Sequence, residues 1–451
     1  MSIFTALVNS VTGLQAQSFA MENISDNIAN SQTTGYKRVD TSFQEMVSDF
    51  PLNQQVGGSV MAMSRGTNNL SGSVRTSGVG TNFALSGPGF VTVRDKLDST
   101  AGVPVFGNTN QYTRRGDFDV DRLGYLVNGA GKYLVGMPID PVTGNLLGAA
   151  PDVVQVNVTL VPARASTTIQ YTANLPPTPR TTNYSTTVAG SDIWGAAGGV
   201  PPATVGPATT PSSASFASNS VSAESVRLYD AKGSPVDVNL RIAKVAASAA
   251  GSTWGLYYDS AQGASTAGST WTLAETLNFD SAGTLTAPTA ATVMNMAARG
   301  LGTITMDLTG GKVTQFSASS GEGQVDVRQF SQDGYAAGEL SKLFVSDDGR
   351  VMANFTNGQT QALAQIAIAQ FNAANMLKRE SGGSFEATTE SGAPLFGANG
   401  SSLISGSLEG SNTDISEEFS KMIVTQQAYS ANTKVMSTAQ QMMQDIMNII
   451  R

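Results

Sequence analysis

From Asp414 to Arg451 the sequence reads DISEEFSKMIVTQQAYSANTKVMSTAQQMMQDIMNIIR. Ile415, Phe419, Met422, Gln426, Tyr429, Thr433, Met436, Gln440, Met443, Met447 and Ile450 alternate steps of four and three. That is a heptad-like seam over about five heptads, the period of an amphipathic helix. Asp414 stands before it as an N-cap, with Glu417 three residues on in a capping-box arrangement. No Gly or Pro interrupts the run. Gln426, Thr433 and Gln440 within the seam argue against a simple zipper. A dense array with several neighbours suits such a broad, mixed face better.

The other end carries the same signal. From Ser2 to about Asn30 there is no Pro and a single Gly. Phe4, Leu7, Val11, Leu14, Met21 and Ile28 lie at helical spacing, with Ser18 and Ser25 interrupting the seam and Ile24 beside it. Both helices are terminal, are long enough to pair, and have no helical neighbours to complete a bundle. They are expected to pack together rather than each against a domain of its own.

Between them the pattern changes to β. TNFALSGPGFVTVRD, residues 81–95, reads as strand, Gly-Pro-Gly turn and strand. Tyr112, Phe118, Val120, Tyr125 and Val127 alternate through the next segment, and Asp348-Gly349 and Asn357-Gly358 are hairpin turns. Lys232-Gly233 marks another hairpin, whereas residues 176–220, rich in Pro, Ser, Thr, Ala and Gly, read as long loops. The expected class is α+β and multidomain, with the terminal helices paired as a coiled-coil-like inner domain and all-β outer domains nested between them. The parts are 1–30 with 412–451 as helical assembly domain, 31–77 with 397–411 as linkers, 78–149 with 336–396 as a β domain, and 150–335 as an inserted outer β domain.

Composition removes most chemistry. The chain has 451 residues, 40% of them hydrophobic and only 13% charged, with a net charge of −8. An acidic chain without basic blocks is a poor nucleic-acid binder. It has no Cys and no His, which excludes Cys/His zinc sites, Ser-His-Asp triads and Cys-His dyads within the chain. Asp117-x-Asp119-x-Asp121 lacks the Gly and the Glu of a calcium loop and reads as a polar strand-turn face. Thr113-Arg114-Arg115-Gly116 reads as a surface turn. No metal, cofactor or catalytic residue is expected, and the N-terminus lacks the basic region of a cleavable signal peptide.

Several motifs converge on one family. Asp26-Asn27-Ile28-Ala29-Asn30 is followed by Thr34-Gly35-Tyr36-Lys37, and Leu85-Ser86-Gly87-Pro88-Gly89-Phe90 by Tyr112-Thr113-Arg114-Arg115-Gly116-Asp117-Phe118. Near the other end, Gly406-Ser407-Leu408-Glu409 and Ser411-Asn412-x-Asp414 precede Met422-Ile423-x-x-Gln426-Gln427-Ala428-Tyr429-x-x-Asn432. On these residues the chain resembles the axial proteins of the bacterial flagellum, the rod and hook group. The signatures at Asn27, Ala29, Asn30, Gly35, Tyr36, Lys37, Gly87, Gly89, Phe90, Gln426, Tyr429 and Asn432 match in the family's order. The large insert, with Leu228-Tyr229-Asp230 and Gly233, is similar to the hook branch rather than to the shorter rod proteins.

The resemblance implies a self-polymer rather than an enzyme. It implies a curved, flexible tube that carries torque from rod to filament as a universal joint, its helices packed between subunits around an export channel. It implies rod proteins at the proximal end, hook-filament junction proteins at the distal end, a cap during assembly, and export by the flagellar type III apparatus without a cleaved signal. The expected place is the extracellular flagellum, attached to the basal body. The helix residues expected between subunits are Phe4, Leu7, Val11, Leu14, Met21, Ile28, Ile415, Phe419, Met422, Tyr429, Met436, Met443, Met447 and Ile450. A distal rod or hook-like protein forming a rigid shaft is the rival within the class. A secreted β-rich adhesin or phage tail component is the rival outside it.

Overall fold

The computed structural model describes residues 3–46, 59–100, 103–140, 143–148, 150–156, 159–195, 199–209, 211–261, 269–317, 323–397 and 400–449. Helix α1 covers Ile3–Ala29, a short α2 covers Ser213–Asn219, and α3 covers Ile415–Ile449. α3 begins where Asp414 Oδ1 accepts hydrogen bonds from the amides of Ser416 at 2.8 Å and Glu417 at 3.1 Å. The cap satisfies two of the amides that a helix start leaves unpaired. The Glu417 carboxylate reaches Arg38 at 2.7 Å and Lys421 at 3.1 Å instead of turning back onto the cap.

The chain divides into two compact units, Met1–Thr159 with Leu340–Arg451, and Leu160–Glu339. The sequence places the insert at about 150–335.

In the first unit α1 and α3 pack side by side. Asn27 meets Glu418, and Gly13 meets Asn432, so the two run antiparallel. A hairpin of β1, Val39–Met46, and β2, Ser59–Gly66, lies against α1, where Asn23 Nδ2 donates to Thr41 Oγ1 at 2.9 Å. Strand β3, Val74–Thr76, pairs with Ser407–Glu409. The segments 31–77 and 397–411, expected as linkers, thus carry paired strands, while residues 47–58, 398 and 399 lie outside the described residues. β1 and β2 pair within their own segment, whereas Val74–Thr76 and Ser402–Ser405 find partners remote in the chain, and a Gly- and Ser-rich composition does not advertise such pairing.

Strands β4, Phe83–Ser86, and β5, Phe90–Arg94, flank the Gly87-Pro88-Gly89 turn. They do not close a hairpin on each other. β4 pairs with Ser402–Ser405, and β5 joins an antiparallel sheet with Gln111–Thr113 and Tyr133–Pro138. That sheet continues through Thr360–Ile366 and Arg350–Phe355 to Gly338–Val345, across the turns at Gly358 and Gly349. Both glycines have positive φ, near +79° and +82°, which suits a residue without Cβ. Phe83, Leu85, Val91, Val93, Phe118, Leu134, Val351 and Ile366 form the core between these strands.

The second unit has two sheets with a core between them. One contains Thr270–Asp280, Gly251–Ala261, Pro235–Ser248 and Val221–Tyr229; the other contains Thr292–Asn295, Thr303–Asp307, Thr168–Asn174 and Asp326–Gln332. Tyr171, Leu228, Leu240, Trp254, Leu277 and Ile304 are buried together between them. The loop-rich part of 176–220 covers the opposite face of the first sheet. There Trp194 packs edge-on against Tyr257, and Phe216, from α2, packs tilted against Tyr257 and Trp271. Alternation along Gly251–Ala261 explains the two cores, since Trp254, Leu256 and Tyr258 point one way and Tyr257 the other.

Candidate functional site

Apart from Ile24, the face that α1 turns to α3 is made of small and polar residues. Ser10, Gly13, Ala16, Ala20, Ile24 and Asn27 are its buried positions. On α3 the buried positions are Glu418, Thr425 and Ala439, with Lys421, Ala428 and Asn432 half-buried between them. Each of these lies one residue before a position of the expected seam, a rotation of about 100° around the helix. The apolar seam of α3 therefore stands beside the intrachain contact. Ile415, Phe419, Tyr429, Met443 and Met447 are exposed, Phe419 by 50% and Met447 by 67%. Met422 and Met436 are half-buried, and Ile450 lies outside the described residues. Leu7, Val11, Leu14, Met21 and Ile28 of α1 are half-buried; the side chain of Phe4 is outside the description.

A polar network sits at the root of the pair. Asn27 Oδ1 accepts from the amide of Val39 at 2.9 Å and from Tyr36 Oη at 3.2 Å. Asn27 Nδ2 donates to the Val39 carbonyl at 2.9 Å and to Glu418 Oε2 at 3.0 Å. Glu418 is fully buried and also takes Lys421 Nζ at 2.8 Å. Asn412 Oδ1 accepts the Arg38 amide at 2.7 Å, tying the chain before α3 to the chain after α1. Hydrogen bonds from Arg38, then Lys421, hold the Glu417 carboxyl below its usual range.

Next to it lies a buried ion cluster. Lys37 Nζ donates to Glu409 Oε1 at 2.5 Å and to the Leu70 carbonyl at 2.6 Å. Arg114 donates to Glu409 Oε2 at 3.3 Å and to the carbonyls of Leu85 at 3.2 Å and Gly87 at 2.5 Å. Its guanidinium lies 5.1 Å from the centre of the Phe90 ring. Lys37 and Glu409 are 0% exposed and Arg114 is 1% exposed, so two cations share one carboxylate away from water. Burial pushes both cations toward lower pKa and the Glu409 charge opposes it. Such a cluster fixes geometry more than it adds stability, because desolvation offsets much of the attraction. The Thr113–Gly116 stretch is accordingly no surface turn: Arg114 is drawn inside by the carboxylate and the carbonyls that its fork can reach.

Residues 7–37 match the flagella basal body rod protein family, 200–335 the FlaE D2 domain of flagellar basal body proteins, and 404–449 the C-terminal region of the flagellar basal body rod proteins FlgEFG. The flagellar hook protein FlgE of Escherichia coli K12 is 30% identical over 98% of this chain and 100% of its own. The chain belongs to the flagellar hook protein family. The hook proteins FlgE of Brucella suis and Salmonella typhimurium are each 29% identical, covering 100% and 97% of this chain and 100% and 98% of their own. The fold agrees with the Helicobacter pylori flagellar hook protein FlgE2, at a TM-score of 0.50 and 14% identity over 73% of this chain and 98% of that one. Family membership carries the function as far as a structural subunit of the hook, part of the flagellum external to the cell. Among the described residues no helix is long and apolar enough to cross a membrane.

Several of the residues read as family signatures lie around these two networks. Gly35, with φ +67°, packs so closely on the Arg114 backbone that a Cβ would stand 2.8 Å from it. Tyr36 lies under the Arg379 guanidinium at 4.8 Å. A Cβ on Gly89 would meet Ile368 at 2.7 Å, and Phe90 packs edge-on against Phe371 and Phe385. Asn30 closes the end of α1 by donating to the Asp26 carbonyl at 2.9 Å. Ala29, Gln426 and Tyr429 are exposed, outside both networks. The residues that sequence reasoning missed are Gly13, Arg114, Arg379, Glu409 and Glu418. For Arg114 and Glu409 the available signal was charge: in a chain with 13% charged residues, an Arg and a Glu inside glycine-flanked motifs stand out. In the tract read against a calcium loop, Asp117 pairs with Arg115 at 2.6 Å, and Asp121 Oδ1 accepts the amides of Leu123 and Tyr125.

Proposed function

We propose that the chain polymerises into a curved, flexible hook tube that acts as a universal joint, with α1 and α3 packed between copies around a central export channel. The observation that carries this reading is the apolar stripe of α3, displaced from its contact with α1. Ile415, Phe419, Tyr429, Met443 and Met447 remain exposed on a single chain. Covering each such side chain would contribute about 1.5–3 kcal/mol. Neighbouring copies are the occupants a self-polymer supplies, and contacts that do not close on themselves build a helical array. The assembly residues are those of the two helix seams, from Leu7 to Ile28 and from Ile415 to Met447. Rod proteins at the proximal end, junction proteins at the distal end, a cap and the type III export apparatus complete the set of partners. A rigid shaft is disfavoured by relatives named as hook proteins along the full length.

Deletion of residues 412–451 tests the reading. The truncated chain is expected to remain a soluble monomer with its β structure, observed by sedimentation and electron microscopy. Tubes formed by that truncation would refute the role of the helices.

A further inference from the structure

The hairpin β1–β2 has one face on α1; on its other face, beyond Asp40 at the root of α3, no described element covers it. Thr41 points to α1, where it is bonded to Asn23. The register pairs Asp40 with Arg65, Ser42 with Met63 and Gln44 with Met61, so these residues share the opposite face with Met46. Met46, Met61 and Met63 are exposed there by 51%, 42% and 45%. Arg65 is exposed beside them, while Asp40 is already held by Lys421 at 3.2 Å. A cleft of about 450 Å³ opens between the hairpin and the root of α3 and includes Arg65 in its lining.

At the far end of the helix pair α3 outlasts α1. With Gly13 against Asn432 and Asn27 against Glu418, the start of α1 at Ile3 falls opposite about residue 442. Among the described residues the last turns of α3 have no partner: Met442, Ile446 and Met447 are 50%, 44% and 67% exposed. Met442, Asp445 and Ile446 lie on one face of the helix, at steps of three and four.

We infer that the overhanging tip of α3 of one copy docks on the methionine face of the β1–β2 hairpin of a second copy, with Asp445 meeting Arg65. The inference rests on the reading of the chain as a self-polymer, and deepens it by naming both halves of one contact. Charge argues for this occupant. Between Val435 and Ile449 the only charged residue is Asp445, and the charge left free on the hairpin face is the opposite one. Spacing agrees as well. Same-face residues two apart on a strand stand about 6.7 Å apart, and residues four apart on a helix about 6 Å. Met61 and Met63 therefore match the pitch of Met442 and Ile446. Unbranched thioethers adapt to a partner whose register shifts, which a tube that bends requires.

The full chain, which contains no Cys, allows a direct test. Met63→Cys and Ile446→Cys are placed in separate copies, mixed, polymerised and oxidised. A covalent dimer is expected from the mixture, with none from either variant alone and none when Val293→Cys, exposed in the other unit, replaces Met63→Cys. Normal polymer without the mixed dimer overturns the inference. If a cysteine variant does not polymerise, the charge pair decides. Arg65→Glu and Asp445→Arg should each raise the critical concentration about two- to fivefold, and their combination should bring it back. A double variant no better than the worse single one overturns the contact while the polymer stands. A wild-type chain that forms no polymer overturns the polymer reading itself, and this contact with it.

Discussion

Gly13 of α1 lies directly against the carboxamide of Asn432 on α3: a Cβ at residue 13 would stand 2.9 Å from Asn432 Nδ2. The neighbour is the far end of a flexible side chain, so one methyl can be accommodated by a small turn of the amide. Ala also favours helix over Gly by up to about 1 kcal/mol. Gly13→Ala should therefore be neutral within ~1 kcal/mol in urea unfolding. Gly13→Leu should cost about 1–3 kcal/mol by forcing the helices apart. Equal stability for both variants would contradict the close approach.

All three Trp residues, Trp194, Trp254 and Trp271, lie in the unit Leu160–Glu339, so fluorescence reports that unit alone. Glu409→Gln leaves Lys37 and Arg114 buried without a counter-charge. The unit holding the helices should lose about 3–5 kcal/mol, seen as an earlier loss of helical circular dichroism in urea. The tryptophan transition should not move. Lys37→Met in the Glu409→Gln background should recover part of the loss, because it removes one of the stranded cations.

The Leu340 amide donates to the Thr159 carbonyl at 3.0 Å, so the chain leaves and re-enters the first unit at one place. Replacing residues 160–339 with a short Gly-Ser link should give a chain with helices and core sheet intact and no tryptophan. Circular dichroism and dispersed amide resonances would record this. An unfolded product would mean that the first unit depends on the insert.

Asp333 should make the second unit acid-sensitive. Partial burial alone would raise its carboxyl, but hydrogen bonds from Thr167 and Thr168 outweigh this and hold it at about 2, below the ordinary 3.8. The unfolded chain binds the proton first as pH falls. The stabilisation is complete above about pH 4–5 and disappears as pH drops through about 2, a loss on the order of 1–2 kcal/mol. Asp333→Asn should flatten this limb when tryptophan fluorescence follows unfolding by urea at pH 5, 4, 3 and 2.

The helices were legible because their period repeats locally, and so were the turns at Gly349 and Gly358, which declare themselves in two residues. The face on which α1 meets α3 was not. Its residues are Gly13, Ala16, Ala20, Thr425, Asn432 and Ala439, and small or polar positions leave no trace in a hydrophobic pattern. The strands at Val74–Thr76 and Ser407–Glu409 escaped for another reason. They pair across more than three hundred residues, and neither is apolar enough to announce a partner. The motifs around Lys37, Arg114 and Glu409 could be recognised as signatures, but their convergence on one buried point depends on tertiary distance, which no local spacing contains.

Lys37 and Glu409 are separated by 372 positions in the chain. A chain that emerges from a ribosome or a narrow conduit with its N-terminus leading has made the first of these residues long before the second. Until Glu409 arrives, Lys37 and Arg114 have every reason to stay in water, and burying them early would be costly. The cluster therefore works as an order of events. The final closure of the N-terminal segments waits for the last tenth of the chain, and contacts of such long range close slowly.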